Sequence, residues 1–116
     1  MERNISYDGF NERAITFLHD GMIEPGMLVT MDYSGTVRSA SEGEAFIGKV
    51  VSADSNFAVV QVNGYVECES MQEIGVGRHR LASDGYDDIV ESYDGVDVWV
   101  ITSKETEDGY VIGFLL

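Results

Sequence analysis

Apolar and polar residues alternate along this chain in short bursts, separated by glycine and by acidic residues. Period-two alternation with β-branched residues recurs over Met27–Asp32, Thr36–Ser39, Phe46–Ser52, Phe57–Val62 and Tyr65–Glu69, and each stretch predicts a strand. Leu81-Ala82 and Ile89–Ser92 are weaker strand segments around the loop Ser83–Asp88. No stretch long enough for a stable helix carries an apolar stripe of helical period. Asn11–Asp20 has room for a short helical turn, but Ile15, Thr16 and Phe17 prefer a pleated surface, which predicts a strand over Ala14–Leu18. The pattern therefore predicts an all-β fold, a compact small barrel or sandwich of about eight short antiparallel strands joined by β-hairpins. Residues 13–116 form a single β domain in this reading, and residues 1–12 an N-terminal arm.

Two hairpins stand out. Asn63-Gly64 separates two alternating segments, which is the strongest short-range hairpin signal because a type I′ turn needs positive φ at both central residues. A two-residue turn there sets Val62 against Tyr65 and Val59 against Cys68. Phe57, Val59, Val66 and Cys68 then form the core face. Ala58, Val60, Val62, Tyr65, Glu67 and Glu69 lie opposite, half apolar and half acidic. Val60, Val62 and Tyr65 on that face are candidates for a subunit interface. The second hairpin joins Val96–Thr102, apolar on both sides after Asp97 as in a central strand, to Tyr110–Leu116 through a polar turn region, Lys104–Gly109, that ends in Asp108-Gly109. A chain ending on Phe114-Leu115-Leu116 has that end tied into the core. Ser34-Gly35 predicts another turn, and Gly48 a bulge.

Charge narrows the classes of partner. There are 21 acidic residues against 7 basic ones, for a net charge of −14. Phosphate binding needs a surplus of lysine and arginine, so nucleic acid is disfavoured, and anionic membranes for the same reason. No apolar run approaches the roughly 18–20 residues of a membrane span. Behind Met1-Glu2-Arg3-Asn4 there is no apolar segment of the kind a signal peptide needs, which gives the expectation of a protein made in a cytoplasm. Cys68 stands alone and has no internal disulfide partner.

Catalytic chemistry finds little footing. Cys68 is flanked by Glu67 and Glu69, the reverse of the electropositive setting that activates a thiol, and reads as a small buried hydrophobe. His19 and His79 have no metal-ligand spacing and read as surface or loop residues. Acidic turns at Asp84–Asp88, Asp94–Asp97 and Glu105–Gly109 lack the alternating ligands of a calcium loop, and Asp-Gly is itself a turn signal. No catalytic residue, cofactor or metal site is assigned. Arg78-His79-Arg80 is the one basic cluster; its arginines pair either with the protein's own carboxylates or with an acidic partner.

Several segments in order carry a resemblance: Ile5–Phe10, Ala14–Phe17, Pro25–Val29, Gly35-Thr36-Val37, Gly43–Val50, Ala58–Val66, Gly77, Leu81–Gly85 and the apolar C-terminal hairpin. Over nearly the whole chain these resemble the small, glycine-rich, all-β head decoration proteins of tailed phages and prophages. The resemblance implies a non-enzymatic structural protein, made in the host bacterial cytoplasm, that binds the major capsid protein on the outer surface of the assembled virion head and stabilises it. It also implies a homo-oligomer, a trimer. Ile5, Tyr7 and Phe10 are then read either as a capsid-facing arm or as residues packed on the barrel, and Arg78 and Arg80 as partner-contact candidates. The competing class is a stand-alone acidic β-barrel module for a small molecule or host protein, with Tyr33, Tyr65, Tyr86, Tyr93 and Trp99 lining its mouth. Another virion component is the third.

Overall fold

The computed structural model describes residues 13–19 and 21–116, so the proposed arm with Ile5, Tyr7 and Phe10 lies outside the described residues. Ten strands follow in order: β1 (Arg13–Leu18), β2 (Leu28–Tyr33), β3 (Thr36–Ser39), β4 (Gly48–Ala53), β5 (Phe57–Asn63), β6 (Tyr65–Ser70), β7 (Gly77–Ser83), β8 (Ile89–Glu91), β9 (Val96–Thr106) and β10 (Gly109–Leu115). The all-β expectation holds, with ten strands rather than about eight. The first five close into a barrel in the order β1-β3-β2-β4-β5, where β5 runs antiparallel to β1 and one parallel contact, Leu18 beside Thr36, seals the seam. The last five form a sheet in the order β6-β10-β9-β7-β8, curled so that its edge strands approach each other.

Each half has its own apolar interior. Val29, Val37, Val50, Ala58 and Val60 fill the barrel, with Ile23 and Met27. Val66, Cys68, Ile74, Leu81, Ile89, Val98, Val100, Ile112 and Phe114 fill the curl of the second sheet. The two cores meet at β2. Successive strand residues point to opposite faces, so Val29 enters the barrel while Leu28, its neighbour, enters the second core. Ala40 and Phe46 from the link between β3 and β4 join Leu28 there. Backbone bonds stitch the same seam: Leu28 N–H donates to the Tyr86 carbonyl at 3.0 Å, and Ser83 N–H to that of Glu44 at 3.0 Å.

The Asn63-Gly64 hairpin is not formed. β5 pairs with β1 and β4, β6 pairs with β10, and the chain passes from one sheet to the other at Gly64. Gly64 exchanges backbone hydrogen bonds with Leu116, at 2.9 Å and 3.4 Å. The reason is parity. In a two-residue hairpin Val60 would share a face with Glu67, and Ala58 with Glu69. Assigning the strands to different sheets buries the even positions of both, Ala58 and Val60 in the barrel and Val66 and Cys68 in the second core, while Glu67 and Glu69 stay exposed. The expected core face of β5 is therefore reversed: Phe57 is exposed and Val59 only half-buried.

Two further expectations change. The irregularity in β4 falls at Val51, where Val50 faces Val60 but Ser52 faces Val59, and not at Gly48. Gly48 is instead a point of close approach: a Cβ there would collide with the Gln61 carbonyl oxygen and sit 2.7 Å from Val60 Cγ1. β9 is central, as its apolar pattern predicts, but among the described residues only one of its faces is covered, and Trp99 points outward. The Ser34-Gly35 turn joins β2 to β3 as antiparallel neighbours, and β9 runs on to Thr106, so the turn to β10 is only Glu107-Asp108, with Gly109 already paired to Thr106.

Candidate functional site

The outer face of the second sheet carries a row of residues in register across four strands. Arg78 on β7 lies opposite Trp99 on β9, Trp99 opposite Leu115 on β10, and Leu115 opposite Tyr65 on β6. Residues directly opposite one another share a face, so the row is contiguous. Trp99 is 57% exposed and Leu115 45%. Tyr65 is half-buried, its hydroxyl donating to Glu67 Oε2 at 2.8 Å and lying 3.0 Å from Thr102 Oγ1.

Along β7, one residue row further, Arg80 faces Asp97. Asp97 is taken by Arg78, Nη2 to Oδ2 at 2.7 Å, and that guanidinium holds its carboxyl below the usual aspartate range. Arg80 is arranged differently. Its guanidinium lies over the Tyr93 ring, 5.3 Å from the centroid, and Nη1 donates to the Tyr93 carbonyl at 3.1 Å. No carboxylate of the described residues lies within 4.0 Å of it, whereas Arg38 has two and Arg78 one. His79 is tied on both sides, Nδ1 2.9 Å from Glu91 Oε2 and Nε2 2.7 Å from the Gly75 carbonyl. These residues, with Ser92, line an open groove of about 520 Å³.

Topology explains the groove. β8 and β9 flank β7 on opposite sides, so the link Ser92–Gly95 must pass over β7. It does so where Gly95 lies against the backbone of Leu81; a Cβ on Gly95 would be 2.5 Å from the Leu81 oxygen and 2.8 Å from its nitrogen. That crossing sets Tyr93 beside Arg80. β8 pairs with β7 only over Leu81–Ser83, so residues 77–80 of β7 run on beyond it.

The other residues singled out by sequence fall elsewhere. Val60 is fully buried in the barrel and Val62 packs partly against the same core, so neither joins Tyr65 on a shared outer face. The aromatic residues proposed to line a mouth are dispersed. Tyr33 is exposed on β2, Tyr86 donates to Glu24 Oε2 at 2.9 Å, and Tyr65 stands on the second sheet. Only Tyr93 lines the groove beside the arginines, with Trp99 opposite Arg78 on the sheet face. The barrel interior is filled by valine, isoleucine and methionine side chains, so a ligand there would have to displace them.

Groups that resemble chemistry serve structure. Burial pushes the Cys68 thiol up to about 12, which keeps it protonated and unreactive. His19 is buried, contrary to the surface reading, and its Nε2 donates to the Asp54 carbonyl at 2.7 Å. Asp84 caps its own loop, its Oδ1 accepting from the backbone N–H groups of Tyr86 and Asp88 at 2.9 and 3.2 Å. Among the described residues no group of three or more His, Cys, Asp or Glu is placed to hold a metal ion. Sequence reading named Arg78 and Arg80 but missed Trp99 and Leu115 as a surface, because an apolar strand at the centre of a sheet gives no local sign that one face lacks a covering layer. Set beside protein-family models and curated proteins, the chain matches none.

Proposed function

We propose that this protein is a non-enzymatic virion component that decorates the outer surface of an assembled tailed-phage head, binding the major capsid protein through the outer face of its second sheet. The observation that supports this most is the exposed row Arg78–Trp99–Leu115, continued by the half-buried Tyr65, on a sheet backed by its own core. Tryptophan, tyrosine and arginine are the residue types that dominate binding hot spots, and a sheet face held by packed cores loses little freedom on docking. A net charge of −14 keeps many free copies apart before they dock and away from packaged nucleic acid. Repeated lattice sites, together with a trimeric assembly, let modest single-site affinity suffice through avidity.

The test is cosedimentation with expanded heads assembled from a candidate major capsid protein. Saturable binding to heads but not to free capsid subunits is expected, and Trp99→Ala should weaken it about thirtyfold or more, the loss expected at a hot spot of about 2 kcal/mol. Binding that Trp99→Ala leaves unchanged sinks the assignment of this face. Absence of binding to heads altogether sinks the decoration reading.

A further inference from the structure

We infer that the groove beside β7 is a carboxylate-reading site for an extended acidic peptide segment of the partner, with Arg80 as its anchor. This deepens the docking reading and rests on it for the partner's identity, but not for the groove's chemistry.

Three observations converge. First, Arg80 is the groove's arginine without a carboxylate contact, acting on Asp97 only from beyond 4.0 Å. Arg78 is neutralised by Asp97, whereas Arg80 has no carboxylate of the described residues within 4.0 Å and is held in place by the Tyr93 ring and carbonyl. A guanidinium has five N–H donors and one is used here, so a planar acceptor has donors left to meet. Its stacking on an aromatic ring orders the fork before any ligand arrives, which lowers the entropy lost on binding. Second, the groove departs from the acidity of the rest of the chain. The chain carries net −14, yet the groove brings Arg78, His79 and Arg80 against just Glu91 and Asp97. An acidic segment is repelled by the rest of the surface and accepted here, which gives register as well as affinity.

Third, the backbone suits an extended chain. β8 pairs only with Leu81–Ser83 and the chain leaving it lies beside Arg80 at Ser92, so beside Gly77–His79 β7 has no strand on that side among the described residues. Ser92 N–H donates to the Arg80 carbonyl at 3.1 Å, which places that carbonyl on the groove side. Strand groups two residues apart point the same way, so the Arg78 amide and carbonyl face that edge too. A peptide can add there as a short strand, its main chain meeting β7 and one carboxylate meeting Arg80.

The experiment uses the full chain and a short capped peptide of alternating valine and glutamate, with the glutamine version as its control. Backbone amide shifts at residues 78–80 and Tyr93, and the emission of Trp99, report binding. The glutamate peptide is expected to move these signals, and the glutamine peptide to bind at least about tenfold more weakly. Arg80→Gln should cause the same loss at unchanged near-ultraviolet dichroism, while Arg13→Gln on the barrel should not. Equal binding of the two peptides, no shift at 78–80, or full binding by Arg80→Gln overturns the inference. Peptide recognition without any head binding would support the groove and remove the decoration reading; head binding untouched by Arg80→Gln would do the reverse.

Discussion

Replacing Phe114 with alanine removes the side chain that joins the two halves of the molecule. Phe114 is fully buried, and its ring meets that of Phe46 edge-on, with centroids 6.1 Å apart and planes at 62°. Phe46 belongs to the link between two barrel strands, so this contact holds barrel-side chain in the second core. Burial of a phenylalanine in a closed core predicts a loss of roughly 3–5 kcal/mol on truncation to alanine. About 0.5–1.5 kcal/mol of that should appear as coupling to Phe46 in a double-mutant cycle. A domain of this length has a total stability of roughly 6–17 kcal/mol, so the variant should remain folded at low temperature. Its melting midpoint should fall by about 15 °C, from the unfolding entropy of roughly 2.1 cal/mol/K per residue. The assay is urea unfolding followed by Trp99 emission on the second sheet and by far-ultraviolet dichroism over the whole chain. Because Leu28 and Val29 anchor both cores from adjacent positions on β2, the two signals should change together in a single transition. A loss below about 1.5 kcal/mol, the lower end of the burial contribution alone with no cavity cost, would refute the closed-core reasoning. Separate transitions for the two probes would refute the coupling of the halves.

Gly48→Ala should destabilise by about 3 kcal/mol, the upper end for overpacking, because the new Cβ meets the backbone of Gln61 and no side chain can swing away; thermal melts check this, and a neutral result would mean β4 and β5 are further apart than described. Cys68 should not react with a thiol reagent at pH 8 in the folded protein and should react fully in urea, since burial lifts its thiol to about 12; immediate labelling of the native state would contradict its place in the core. Glu44 accepts from Arg38 Nη1 and Nη2 at 2.8 and 2.7 Å and from the Ser41 N–H, interactions that lower its carboxyl from 4.5 to about 2. A lowered folded-state value stabilises above the unfolded carboxyl's range and is lost as pH falls from about 4.5 towards 2. Glu44→Gln should therefore cost about 1 kcal/mol at pH 7, a figure reduced for the pair's partial exposure, and almost nothing near pH 2. Urea midpoints at both pH values test it, and an equal deficit at each would exclude the ion pair as the cause.

The alternation of apolar and polar residues determined the strands, because it records which side of a pleated segment meets a core, and that is a local property. It also located two turns: Ser34-Gly35, and the region ending in Asp108-Gly109, connect strands that do pair. The same alternation set Cys68 on a face with Val66, and both are buried as it suggested. Pairing was not local. Asn63-Gly64 carries a strong hairpin signal, yet β5 and β6 bury their even positions in different cores, and no two-residue hairpin permits that parity. Exposure of Trp99 depends on the absence of a covering layer over β9 among the described residues, and the placing of Arg80 over Tyr93 on a chain crossing at Gly95. A strand's own sequence states which of its faces is apolar. Which strand lies beside it, and what lies above it, is decided only when contacts distant along the chain compete for the same space, and the candidate docking face of this protein is made by that competition.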